Sequence, residues 1–138
     1  MKKLFFPLFA LLTISASAQK PNVPDAAKKA FAKSCPGISK VTWEKEDGNF
    51  EASFEQNGNQ LSVIYDAKGA MLESEIEMKA ADLPAGIIAY MKEHYKGVSI
   101  KSGAKITKAN GTINYEAAIK GKDVLFDASG KFLKEAKD

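Results

Sequence analysis

The sequence predicts an α+β fold built as a tandem repeat of two αββββ units, each an antiparallel meander with one helix packed on it. Three observations carry that reading. Val23-Pro24 opens an apolar-periodic segment that stops at Gly37, and Leu83-Pro84 opens another that stops at Gly97, 60 residues on in both cases. Phe50-Glu51-Ala52-Ser53-Phe54 is matched by Tyr115-Glu116-Ala117-Ala118-Ile119, and Tyr65-Asp66-Ala67-Lys68-Gly69 by Phe126-Asp127-Ala128-Ser129-Gly130. After each helical segment the apolar period switches from about 3.6 to 2.

Taken in order, residues 1–18 read as a secretory signal peptide. Lys2 and Lys3 precede an apolar run from Leu4 to Ile14, and Ala16-Ser17-Ala18 supplies small residues for cleavage after Ala18. That run is shorter than the roughly 20 residues of a spanning helix, so no membrane insertion is expected after cleavage. The first repeat is then 19–79 and the second 80–138, together one compact domain. Pro24 suits a first helical turn and Asp25 complements its dipole, with Ala26, Ala27, Ala30 and Phe31 at helical spacing. In the second helix Asp82 is the expected N-cap, Ile87, Ile88 and Met91 form the stripe, and Gly97 ends it.

The strands follow. Val41 and Trp43, then Phe50, Ala52 and Phe54, then Leu61, Val63 and Tyr65, then Leu72 and Ile76, place one apolar side on four successive strands. Asp47-Gly48, Asn57-Gly58 and Lys68-Gly69 read as the turns between them. Val98 with Ile100, Ile106, Tyr115 with Ala117 and Ile119, Val124 with Phe126, and Leu133 repeat the pattern. Each helix should cover the apolar face of its own meander.

Composition excludes several chemistries. The chain of 138 residues has 20 basic side chains, all Lys, against 17 acidic ones, with one His and one Cys. Without Arg it lacks the fork that reads phosphate and guanine best, so no nucleic-acid partner is expected. One Cys closes no internal disulfide, and one His and one Cys cannot make a His- or Cys-based metal site, so neither metal nor cofactor is expected. Removing the signal peptide leaves 18 Lys against 17 acidic residues, a net charge of +1. Its distribution is uneven: residues 23–78 carry 6 Lys and 10 acidic residues, net −4, while 79–138 carry 11 and 7, net +4.

No catalytic residues are expected. Cys35 ends the first helix at a position suited to a small apolar filler, and His94 lies late in the second helix near its favourable dipole end. A cysteine-dependent enzyme would need the two within hydrogen-bond reach. Asp66 and Asp127 each precede a Gly by three residues, but one carboxylate per turn suits a tight-turn cap better than calcium.

The signal peptide, the two helix starts, Val41-Thr42-Trp43-Glu44, Asp47-Gly48 with Phe50-Glu51-Ala52-Ser53-Phe54, and the Tyr65-Asp66 and Phe126-Asp127 turns resemble the exported, β-lactamase-inhibitor-like, PepSY-like proteins of Bacteroidetes. The resemblance covers essentially the whole mature chain. It implies the tandem αβ4 architecture in a continuous curved sheet, a periplasmic or secreted location, no catalysis, and binding or inhibition of another protein. An exported peptidase is one such target. Inhibition of a β-lactamase is not expected, because the inhibitors carry disulfides and an acidic hairpin tip, whereas Asn57-Gly58-Asn59 is neutral.

Strand alternation identifies the candidate surface. With Trp43, Phe54 and Val63 facing the helix, Thr42, Glu44, Glu51, Ser53, Glu55, Ser62, Ile64, Glu73 and Glu75 face outward. In the second unit the same logic exposes Lys101, Lys105, Glu116, Lys120, Leu125 and Lys134. Ile64 and Leu125 are equivalent in the repeat, as are Met71 and Phe132, which suggests an apolar strip between charged rims. The expected partner-binding residues are Glu44, Glu51, Ile64, Met71, Leu125 and Phe132. The alternative is a carrier of a small apolar ligand or an envelope scaffold, favoured by a pocket lined by Tyr90, Met91 and Tyr95.

Overall fold

The computed structural model describes residues 20–137. The signal peptide and its cleavage site lie outside them. The element order is α1 (Asp25–Ser34), β1 (Thr42–Glu46), β2 (Asn49–Gln56), β3 (Asn59–Tyr65), β4 (Met71–Met78), a 3-10 turn (Ala80–Asp82), α2 (Ala85–His94), β5 (Ser102–Lys108), β6 (Ile113–Ile119), β7 (Lys122–Asp127) and β8 (Phe132–Lys137). The eight-stranded sheet runs in chain order from β1 to β8. The pairs β1–β2, β2–β3 and β3–β4, then β5–β6, β6–β7 and β7–β8, are antiparallel. The described residues fall into two compact units, one of 20–76 with 108–110, the other of 77–107 with 111–137.

In the unit that begins the chain, α1 buries Ala27 and Phe31 against Phe50, Ala52, Phe54, Val63 and Tyr65. Phe31 meets Trp43 and Phe54 edge-on at 5.6 and 5.2 Å. The Tyr65 hydroxyl reaches the helix as well, 2.8 Å from the Ser34 hydroxyl. In the other unit α2 buries Ile87 and Met91 against Ala117, Ile119, Val124 and Phe126, with Leu83 ahead of the helix in the same core. Gly103 takes the helix-facing place on β5 directly beneath Leu83: a Cβ there would come within 2.6 Å of the leucine side chain.

Turn chemistry follows the sequence closely. Asp47-Gly48 and Asn57-Gly58 have positive φ at both residues, as two-residue type I′ hairpin turns require. Asp66 Oδ1 accepts from the amides of Lys68 and Ala70, and Asp127 Oδ1 accepts from those of Ser129 and Lys131 and from the Ser129 hydroxyl. Each carboxylate is thus a turn cap, and these bonds hold Asp127 below the usual carboxylate range.

Three expectations need correcting. Asp82 belongs to the 3-10 turn; Pro84 occupies the N-cap of α2, with no side-chain cap bond. Val98 and Ile100 precede β5, which begins at Ser102. Ile106 and Lys105 exchange faces, since Lys105 opposes Tyr115 on the helix side and Ile106 opposes Asn114 on the other. The cause is Gly103, whose missing side chain makes room for Leu83 and sets the parity of the strand.

Candidate binding surface

Residues directly opposed across an antiparallel pair share a face. In the first meander this builds one outward row, Glu44–Glu51–Ile64–Glu73, and a second, Thr42–Ser53–Ser62–Glu75. Glu46 opposes Asn49, and Glu55 opposes Gln60 and accepts a bond from its amide at 3.2 Å. Six glutamates of the registered pairs therefore share a face on which β1 to β4 place no lysine, and Lys108 interacts with Glu73.

Their protonation reflects the crowding. Burial pushes Glu51 up from the ordinary carboxylate value, a bond from Ser62 opposes the shift, and Glu44, Glu46 and Glu73 add repulsion. Glu73 is raised by burial and partly compensated by Lys108. Glu46 is raised by burial, then by Asp47 and Glu44. A carboxyl whose folded-state pKa is raised binds its proton more tightly in the folded chain than in the unfolded one. Its ionisation therefore costs stability as pH climbs through the interval between the two values. Glu51→Gln and Glu73→Gln are accordingly expected to stabilise the fold at pH 7, by a few tenths to about 1 kcal/mol each. That gain should vanish when urea unfolding is repeated below pH 4.

The other expected site residues are placed unequally. Ile64 lies on the outward side but is only 3% exposed. Alternation assigns a face and not its openness, and Ile64 sits on an inner strand between Glu51 and Glu73. Leu125 also faces outward, half-buried, opposite Glu116 and Lys134. Met71 and Phe132 do not join the strip. A register shift at Ile64/Tyr65 leaves Leu72 as the extra residue and sets Met71 opposite Tyr65; another at Leu125/Phe126 leaves Leu133 extra and sets Phe132 opposite Phe126. Both residues are carried to the helix side. Phe132 stacks on Tyr90 with centroids 5.5 Å apart, while Met71 stays 42% exposed.

The outward side of the second meander is not the basic rim that alternation implies. Glu116 and Asp123 lie there and are each 1% exposed, with Ala104 and Ala118 forming a small buried pair. Asp123 had no sequence signal beyond its place on a strand.

Cys35 packs beside the first core, and His94 stacks on Tyr90 at 3.9 Å with Nδ1 3.0 Å from the Tyr90 carbonyl oxygen. Among the described residues, no group of three or more His, Cys, Asp or Glu could hold a metal ion. No helix among them is long and apolar enough to cross a membrane.

A groove of about 420 Å³ lies in the second unit, lined by Ala81, Ile88, Met91, Lys92, Tyr95 and Val98 among others. Tyr90 is not part of it, being occupied by the stack with Phe132 and His94. The Tyr95 hydroxyl donates a short bond to Glu135, which also pairs with Lys122 at 3.0 Å, and Lys122 Nζ lies 5.7 Å from the tyrosine ring centroid. Burial, with Glu135 next, pushes the Tyr95 hydroxyl well above its ordinary range.

Among solved structures, the chain is similar to a protein of Bacteroides eggerthii described as periplasmic (TM-score 0.76, 14% identity, covering 85% of this chain and 90% of that one). It is also similar to a BLIP-like protein of Bacteroides fragilis (0.67, 22%, 83% and 86%). The chain has a BLIP-like fold. A DUF2874 family protein of Bacteroides uniformis shares this BLIP-like fold (0.74, 15%, 83% and 88%). The resemblance read from the sequence thus holds at the level of architecture, an α+β arrangement with two helices and an eight-stranded antiparallel sheet. No protein-family model and no curated protein matches the chain.

Proposed function

We propose that the chain is a non-catalytic, exported binding module, two copies of one αββββ unit, which recognises a protein partner through the outward face of its first meander. The observation that carries this is the row Glu44–Glu51–Ile64–Glu73 with Glu46, Glu55 and Glu75 around it. Like charges directly opposed on a sheet are destabilising, and burial raises the cost for Glu46, Glu51 and Glu73. A partner segment bearing Lys or Arg relieves that repulsion on docking, which gives it both steering and register. An exported peptidase remains the target class implied by the PepSY-like resemblance. The periplasm is the proposed location, in keeping with the signal-peptide pattern of residues 1–18. The neutral Asn57-Gly58 tip supports a target other than a β-lactamase.

A second reading rests on the groove at Met91 and Tyr95, whose volume falls within the roughly 300–1,000 Å³ of small-ligand sites. It makes the protein a carrier of a small apolar molecule. One experiment separates the two: the mature chain is incubated with a native envelope fraction, recovered, and analysed for bound protein and for extractable small molecules. The first reading expects a protein lost on Glu51→Lys with Glu73→Lys and kept on Val98→Asp. The carrier reading expects the reverse pattern with a small molecule.

A further inference from the structure

The two outermost strands of the sheet differ in a way that neither the fold nor the proposed partner face explains. Among the described residues, β1 and β8 each have a strand neighbour on one side only. Such edges invite pairing, and charged side chains normally blunt them. Here the charges are ordered by face. On β1, Glu44 and Glu46 point outward, opposite Glu51 and Asn49, while Trp43 and Lys45 take the helix side opposite Ala52 and Phe50. On β8, Lys134 and Ala136 point outward, opposite Leu125 and Asp123, while Glu135 and Lys137 take the helix side opposite Val124 and Lys122.

We propose that β8 of one copy of this chain pairs antiparallel with β1 of a second copy. With Lys134 set opposite Glu46, Glu135 falls opposite Lys45, Ala136 opposite Glu44 and Lys137 opposite Trp43. Every charge then meets an opposite charge, a methyl group or an aromatic ring, on both faces at once. The helix sides of the two copies coincide in this arrangement. Pairing like with like is penalised in the central registers: two β1 strands paired about Glu44 set Glu44 against Glu44, two paired about Lys45 set Lys45 against Lys45 and Glu44 against Glu46, and two β8 strands paired about Lys134 or Glu135 set that residue against itself. In these central registers the charges disfavour each edge's own kind and favour the unlike edge, a repulsive and an attractive element together. The contact is heterologous, so each copy keeps one free β1 and one free β8 and association grows with concentration.

The test is sedimentation equilibrium of the mature chain across a concentration series at low and at about 1 M salt, where screening acts within about 3 Å. The expected result is a weight-average mass that rises with concentration at low salt and falls back towards the monomer at high salt. Glu44→Lys with Glu46→Lys, and separately Lys134→Glu, should each weaken association about tenfold, the sum expected of one or two reversed cross-strand pairs. Mixing these two variants should restore it, because the reversed β1 of one then meets the reversed β8 of the other. That recovery also shows that both variants are folded. A monomer throughout the series, association indifferent to the reversals, or no recovery in the mixture would each overturn the proposal.

Discussion

Replacing Phe126 with Ala is expected to cost about 3–5 kcal/mol, the largest loss from a single side chain in the second unit. Phe126 is wholly buried and central to its core, meeting Tyr90 edge-on at 5.3 Å and Phe132 at 6.3 Å. Its removal also takes away the ring against which Tyr90 is set, loosening the His94–Tyr90–Phe132 stack. With Cys35 the one cysteine, no disulfide can offset the cavity. A loss of this size is a large fraction of the roughly 5–15 kcal/mol that holds a typical domain folded. Urea unfolding followed by far-UV circular dichroism measures it. Leu133→Ala is the matched control: this extra residue of β8 is 45% exposed, and its replacement should change stability by well under half as much.

The second large effect separates two turns that look alike in the sequence. Gly69 and Gly130 close equivalent turns and have φ of +84° and +85°. Alanine in either must adopt a left-handed conformation, at roughly 1–2 kcal/mol. At Gly130 a Cβ meets Ile87 side-chain carbon at 3.6 Å and the Ile87 backbone nitrogen at 3.9 Å, both ordinary contacts. At Gly69 it would stand 2.6 Å from the Ala26 carbonyl oxygen and 2.9 Å from its carbon, so α1 itself would have to move. Gly69→Ala should therefore destabilise by about 1–3 kcal/mol more than Gly130→Ala, the range for overpacking. Equal losses in the two variants would show that the start of α1 yields freely.

What the sequence revealed and what it hid divide along a physical line. Helix stripes, two-residue turns and Asp-capped turns are local, and their residues were legible because three to five consecutive side chains determine the geometry. The outward acidic row was legible too, since alternation holds along unbroken strands. It failed where one residue is added or a side chain is missing. The bulges at Leu72 and Leu133 sent Met71 and Phe132 to the helix side, and Gly103 turned Lys105 inward. Buried Glu116 and Asp123 were invisible for a different reason: alternation reports which face a residue takes and nothing about what covers it. The groove is lined by α2, the 3-10 turn before it and the segment after it, where Val98 and Ile100 lie outside a strand.

The acidic face is the centre of the functional account, and charge reversal tests it most directly. The mature chain and its Glu51→Lys, Glu73→Lys variant are each coupled to a support, exposed to the same native envelope fraction and eluted with salt. The expected result is a protein that the native face retains, that elutes as salt rises, and that the reversed face loses at least tenfold. Retention of the same protein in the same amount by both faces would contradict it.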